Sequence, residues 1–351
     1  MNIGAKIALA MVLALSAQQG GSTPKKPTRL FSEDQPIHVA IRAPIAAIVA
    51  TPTDLRTARP GTLGLISASA EQLPILLSPR GFARRNKDAC KFPPLKVEFT
   101  PKPAKTSLFE RQRLLKLTTH CRIAPAHQNN VLLEYAAYRM FNVLSPIGLR
   151  ARIANIDYVE ADGHPYISRI GFFVEDADDA AKRNGLHEVQ ITARILPSQL
   201  DPAAAARASI FEYMIGNLDW SMRAAHAGLG CCHNFKLMAA APYVRTALIP
   251  VPYDFDYSGL VNAPYALPPE GIPVATVRDR RYRGYCVHNS AALEAAGEFR
   301  AKRGELLAAL AAVPQLDEGK RRSAAAYLEN FFRDIASDED VTKRLLKTCI
   351  N

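Results

Sequence analysis

The chain has 351 residues, of which 48% are hydrophobic and 22% are charged. This composition is that of an ordinary globular protein, and it excludes a disordered chain, a collagen and a small disulfide scaffold. The 44 Lys and Arg residues outnumber the 33 Asp and Glu residues, which gives a formal net charge of +11. Spread evenly, this excess is too dilute to indicate nucleic-acid binding, so its position along the chain decides what it means.

Residues 1–17 have the layout of a secretory signal peptide. Lys6 precedes an apolar run from Ile7 to Leu15, and small residues follow that run. The run is too short to span a bilayer as a helix. We therefore expect an exported protein, periplasmic or extracellular, that keeps no integral membrane segment once the signal is removed. An ordinary buried N-terminal helix is the alternative.

All six cysteines follow the predicted signal peptide, at Cys90, Cys121, Cys231, Cys232, Cys286 and Cys349. An even number of cysteines in an exported chain predicts disulfides, although the sequence leaves their connectivity open. We expect the adjacent Cys231 and Cys232 to bond to other cysteines rather than to each other. A zinc site of Cys231, Cys232 and His233 is the alternative, but the segment lacks CxxC spacing.

The pattern of apolar residues divides the chain into a β-rich part and a mainly helical part. Residues 18–36 are polar and rich in Pro, Gly and Lys, which indicates a flexible leader. Over 37–175, short apolar runs predict strands, with one helix at 129–145 and a hairpin around Asp162–Gly163. Residues 176–351 form the mainly helical part, with helices predicted at 203–217, 289–313, 317–336 and 339–349 and two short strands between them.

The excess positive charge is concentrated in residues 80–122. This segment holds twelve Lys and Arg residues against three acids. Such a concentration favours an anionic ligand, with phosphate as the leading candidate, over a merely solvated loop. Nucleic acid is not expected, because the segment has too few aromatic residues for base stacking and coincides with no recognition helix.

Three later segments carry polar residues beside short apolar runs: GNLDW (216–220), HNFKLM (233–238) and VPYDFDYSG (251–259). One aspartate, one side-chain amide and a second aspartate are the groups that magnesium-dependent phosphoryl transfer requires. The first aspartate orients or deprotonates the acceptor hydroxyl, and the amide and second aspartate hold Mg²⁺ against the phosphates.

Such a site also needs a cation on a strand to pair with the phosphates, and an acid on a helix to hold that cation. Lys96, on the predicted strand PLKVEF, and Glu134, on the predicted helix 129–145, fit these two roles. Lys91 and Lys116 are alternatives for the cation.

The order of these segments resembles that of the spore-coat protein H (CotH-like) kinases, an atypical branch of the protein-kinase-like fold. The resemblance runs through RG…FPPLKVEF, LKLTTHC, NNVLLEYAAYRMFN, GFFVEDADDAAKR, GNLDW…HNFKLM and PVPYDFDYSG, over about residues 78–290. The order N-D…HN…D-x-D is also similar to that of the HipA-like kinases. The resemblance implies a two-lobed α+β fold, with a β-rich N-terminal lobe at 37–175 and a mainly helical C-terminal lobe at 176–351.

The resemblance also assigns roles to particular residues. It implies that Asp219 is the catalytic aspartate, that Asp254 with Asp256 and Asn234 holds the metal, and that Glu175 lies where the adenine binds. Arg80 and the following glycine match the family's RG over the nucleotide, although Phe-Ala follows here in place of the family's Asn-Ser.

The sequence therefore predicts an exported phosphotransferase that uses ATP and Mg²⁺ and acts on hydroxyl groups of a protein substrate. Three alternatives stay open: a pseudokinase that serves in binding or assembly at the cell envelope, the same fold transferring AMP or glutamate, and a polyanion-binding envelope protein that uses residues 80–122.

Overall fold

Seven strands form a closed barrel in the computed structural model, which describes residues 25–66, 71–225 and 230–351. Their order around the barrel is β1-β2-β3-β4-β5-β7-β6. Neighbours are antiparallel except β1 and β6, whose parallel pairing closes the barrel. The strands are β1 (Ile37–Arg42), β2 (Arg59–Leu65), β3 (Gln72–Pro79), β4 (Leu95–Phe99), β5 (Leu114–Thr118), β6 (Ala151–Val159) and β7 (Pro165–Val174).

The prediction of a two-lobed protein-kinase-like fold is wrong, because the β-rich half is this closed barrel. The local pattern of apolar residues identifies strands but not their partners. The parallel pairing of β1 with β6 joins Ile37 to Ala154 and leaves no free edge at either strand. A pairing between segments so far apart in the chain has no local signal in the sequence.

Alternating apolar side chains fill the barrel. In β1, Val39 and Ile41 are fully buried while their neighbours are partly or fully exposed, which is the period of two expected of a strand with one buried face. The segment predicted as a flexible leader also contributes to this core. Its short turn Arg29–Phe31 buries Leu30 and Phe31 against the barrel residues.

One long helix, α2 (Gln128–Leu144), connects β5 to β6 and lies between the barrel and the helices that follow. The sequence predicts this helix at 129–145, and the structure places it one residue earlier. Eleven of its residues are buried, including Glu134, because it packs against β6 and β7 on one side and against the later helices Pro202–Ile215 and Arg303–Ala311 on the other.

The chain after the barrel holds six helices and a second sheet within the described residues. The three-stranded sheet has the order β10-β9-β8 and is antiparallel. The elements are α3 (Ala177–Arg183), β8 (His187–Val189), α4 (Pro202–Ile215), β9 (Phe235–Ala239), β10 (Ile249–Pro252), α5 (Asn289–Ala301), α6 (Arg303–Ala311), α7 (Glu318–Asp334) and α8 (Asp338–Arg344). A short helix α1 (Ile45–Val49) precedes β2.

All six cysteines are paired, as Cys90–Cys121, Cys231–Cys232 and Cys286–Cys349. The expectation that Cys231 and Cys232 bond elsewhere is therefore wrong. The two residues are joined by a cis peptide bond, and their Cα atoms lie 3.1 Å apart. This disulfide also removes the two thiolates that the alternative zinc site of Cys231, Cys232 and His233 requires.

Among the described residues, no helix is both long enough and apolar enough to cross a membrane.

Candidate active site

A cavity of about 570 Å³ opens where the barrel meets the three-stranded sheet. Its wall combines residues of β5, β8 and β9 with two connecting segments, 80–84 before β4 and 253–257 after β10. Six of the nine site residues predicted from the sequence line this cavity: Arg80, Lys116, Asp219, Asn234, Asp254 and Asp256.

Asp219 lies in the tight turn that follows α4. The helix ends at Gly216, whose φ of 66° is one that glycine adopts readily. The side chain of Asn217 then accepts a hydrogen bond from the backbone N–H of Asp219. Arg283 supports the same turn by donating to the carbonyls of Leu218 and Trp220. The turn presents the Asp219 carboxylate, about one third exposed, to the cavity.

His233 and Asn234 both contact this carboxylate. The Nε2 atom of His233 lies 2.8 Å from Oδ1 of Asp219, and the hydrogen bond raises the pKa of the imidazole. The amide of Asn234 donates to Oδ2 of Asp219 at 3.1 Å and to its backbone carbonyl at 2.7 Å. The two contacts fix the orientation of Asp219.

Three carboxylates gather deeper in the site, on Glu134 of α2 and on Asp254 and Asp256. One oxygen from each lies within 4.8 Å of the others. Arg84 sits among them, with Nη1 3.1 Å from Glu134, Nε 3.1 Å from Asp256 and Nη2 in contact with Asp254. We call Glu134, Asp254 and Asp256 the carboxylate triad.

Glu134 and Asp256 are buried, whereas the side chain of Asp254 is 30% exposed. Burial raises the pKa of Glu134 to about 8 and that of Asp256 to about 6. Burial also acts on Asp254, but Arg84 and Arg80 hold the pKa of that carboxyl below its ordinary value. Among the described residues, the buried Oε1 atom of Glu134 has no hydrogen-bond partner. Oxygen ligands of this kind suit Mg²⁺ or Ca²⁺, and the unpartnered oxygen leaves capacity for a cation.

Two lysines and an arginine add positive charge to the lining of the cavity. Lys116, on the outer face of β5, has its ammonium 5.1 Å from the ring centre of Tyr253, and burial lowers its pKa to about 8. Arg80 follows β3, and its backbone N–H donates to the carbonyl of Pro94. Lys236 of β9 pairs with Glu188 of β8 at 2.8 Å.

The other three predicted site residues, Lys96, Glu134 and Glu175, do not line the cavity. Lys96 is the cross-strand neighbour of Lys116, but it pairs with Glu98 at the surface and does not line the cavity. Glu134 contacts Arg84 instead of a lysine. Glu175 is buried in an ion pair with Arg183 outside the cavity, so it is not placed to contact a ligand there.

The cations of residues 80–122, which the sequence predicts to face an anionic ligand, lie mostly outside the cavity. Only Arg80, Arg84 and Lys116 of its twelve cations line the cavity. Sequence reasoning missed Arg84, which looks like any residue of a basic run. It also missed the role of His233, although the adjacent His-Asn pair was a usable signal.

No protein-family model matches this chain, and no curated protein is significantly similar to it in sequence.

Proposed function

We propose that the protein is a magnesium-dependent phosphotransferase that moves the terminal phosphoryl group of ATP to a hydroxyl group, with a protein as the acceptor. The observation that carries this proposal is the composition of one cavity. The lining of this cavity holds Asp219 with its two orienting partners, the acidic Asp254 and Asp256, and the cationic Arg80 and Lys116. The proposal rests on this cavity and not on the fold that the family resemblance implied.

Asp219 acts as the base in this proposal. Its carboxylate accepts a hydrogen bond from the acceptor hydroxyl and takes the proton as the oxygen attacks the terminal phosphorus. The bond from that phosphorus to the bridging oxygen breaks, and ADP leaves with the electron pair. His233 and Asn234 hold Asp219 in position for the proton transfer.

Asp254 and Asp256 would hold Mg²⁺, with Glu134 and Asn234 as the remaining candidate ligands. The oxygen donors and the unpartnered Oε1 of Glu134 fit such an ion. When bound, Mg²⁺ neutralises charge on the phosphate oxygens. Arg80 and Lys116 bind phosphate oxygens directly, and an anion would offset the cost of burying the Lys116 ammonium.

The test measures transfer of label from γ-labelled ATP to generic and copurifying proteins, with α-labelled ATP as a parallel sample. Asp219→Ala should lower the rate by about 10²–10⁴-fold. Lys96→Gln, outside the cavity on the neighbouring strand, is the matched control and should retain full activity. Full transfer by Asp219→Ala would refute the assignment, and label from the α position would indicate AMP transfer instead.

A binding protein without turnover is the second candidate, favoured by the presence of Arg84 inside the triad. Thermal stabilisation by Mg-ATP without any transfer would support it.

We also propose that the protein is exported and functions in an oxidising compartment. The pairing of all six cysteines supports this, because disulfides persist in such compartments. Fractionation of cells that express the tagged full-length chain tests it, and an entirely cytosolic protein with free thiols would contradict it.

A further inference from the structure

Arg84 occupies the position that a metal ion would need. Each of its three guanidinium nitrogens faces a different carboxylate of the triad, and its side chain is only 7% exposed. The guanidinium is a planar cation with a fixed fork of donors, so these three contacts define a specific fit rather than a diffuse attraction. The protein thus supplies its own cation to the triad.

This cation satisfies the triad only in part. One positive charge faces three carboxylates, and Oε1 of Glu134 is left without a hydrogen-bond partner among the described residues. A divalent cation would bring twice the charge to the same oxygens. Because the three guanidinium nitrogens already contact one oxygen of each carboxylate, a metal ion can coordinate those oxygens only if Arg84 gives up these contacts.

The segment that carries Arg84 lies outside the barrel strands. Arg84 lies in the short turn Ala83–Arg85, in the connection between β3 and β4. The neighbouring Phe82 is 70% exposed and the buried side chains of the turn are those of Arg84 and Arg85, so lifting the turn would uncover charged rather than apolar side chains. The Cys90–Cys121 disulfide and the Arg80–Pro94 backbone bond hold the base of the connection in place.

We propose that Arg84 is a latch that competes with the divalent cation for Glu134, Asp254 and Asp256, and that metal loading displaces it from the triad. Since Arg84 already lines the cavity, its released guanidinium stays beside the space where phosphate oxygens would bind and suits them as a bidentate donor. This inference rests on the metal site of the proposed function, but it does not require phosphoryl transfer.

The experiment measures binding of Mn²⁺ alone to the full chain by titration calorimetry, without nucleotide. Arg84→Gln should bind Mn²⁺ at least about tenfold more tightly than the wild type, which corresponds to about 1.4 kcal/mol. Lys91→Gln is the matched control, because Lys91 lies in the same connection between β3 and β4 but is exposed and forms no ion pair with the triad, and its affinity should equal that of the wild type. Equal or weaker binding by Arg84→Gln would overturn the proposal.

Loss of Arg84 leaves three carboxylates together without their cation, so a second measurement, on the wild type, covers the case in which Arg84→Gln does not fold. The backbone amides of Arg85 and Asn86 donate within the turn, to Phe82 and Ala83. If metal binding lifts the turn, saturating Mn²⁺ should speed the hydrogen exchange of these two amides in the wild type. If Arg84→Gln does not fold, unchanged exchange in the wild type would overturn the latch. A chain that shows this competition but transfers no phosphate would refute the phosphotransferase and keep the latch.

Discussion

From its contacts in the structure, we expect Glu175 to be essential for stability and dispensable for ligand binding. Its carboxylate accepts hydrogen bonds from Nε and Nη2 of Arg183, at 2.9 and 3.0 Å, and from the backbone N–H of Arg150 at 3.0 Å. The two side chains of the pair are 2% and 7% exposed. Glu175→Ala would therefore leave the guanidinium of Arg183 buried without its carboxylate.

The expected cost follows from these contacts. Breaking a buried ion pair by removing one partner costs about 3–5 kcal/mol. Arg183 would keep its hydrogen bonds to the carbonyls of Pro146 and Gly148, which places the cost at the lower end of this range, about 3 kcal/mol. Replacing both members of the pair, as Glu175→Met with Arg183→Met, should cost less than Glu175→Ala alone, because no buried charge is then left unpaired.

Urea denaturation provides the assay, followed by the fluorescence of the single, buried Trp220 and by circular dichroism. Lys182→Ala is the control, because Lys182 lies next to Arg183 in α3. Its ion pair with Asp178 is half exposed and should contribute only about 0.5 kcal/mol. A Glu175→Ala variant within about 1 kcal/mol of the wild type would refute this reasoning, because the lower bound expected for breaking a buried ion pair is about 3 kcal/mol. If that variant instead lost stabilisation by Mg-ATP, the role predicted from sequence would be right.

Two further predictions concern stability. Burial lowers the pKa of His120 to about 3, so the unfolded chain takes up its proton first as the pH falls. Stability should therefore fall between pH 6.5 and 3 by up to about 5 kcal/mol. His120→Leu should flatten this slope in urea titrations at several pH values, and equal slopes for the two proteins would contradict the prediction. The Cys286–Cys349 disulfide closes a long loop, with a sequence separation of 63, so Cys286→Ala with Cys349→Ala should cost about 4 kcal/mol. A change below about 1 kcal/mol in the same denaturation assay would be incompatible with that entropic effect.

Local patterns predicted local structure well. Helix α2 follows from its apolar periodicity, and the β6–β7 hairpin follows from Asp162–Gly163, where the glycine has a φ of 99°. The barrel could not be predicted in the same way, because its closure depends on β1 and β6, which no turn signal connects.

The residues of the candidate site also differ in whether the sequence alone could predict their positions. Asp219, Asn234 and Asp254 are polar residues in short connections, and such positions converge when their flanking elements pack. Glu175 has the same sequence character, but a buried arginine from the next helix takes up its carboxylate. Nothing in a basic run distinguishes Arg84, because only the folded chain brings α2 and residues 254–256 to it.

The parallel pairing of β1 with β6 sets an order for the folding of the chain. β1 is synthesised first among the barrel strands, yet Ile37 finds its partner Ala154 only after four further strands (β2 to β5) and α2 have been made and β6 has followed. Until then β1 has one open edge and an apolar face without its final cover. Contacts of such long range close slowly, since the loop entropy is lost before the contacts form. The β6-facing edge of β1 is therefore open to pairing with other chains until β6 has been made.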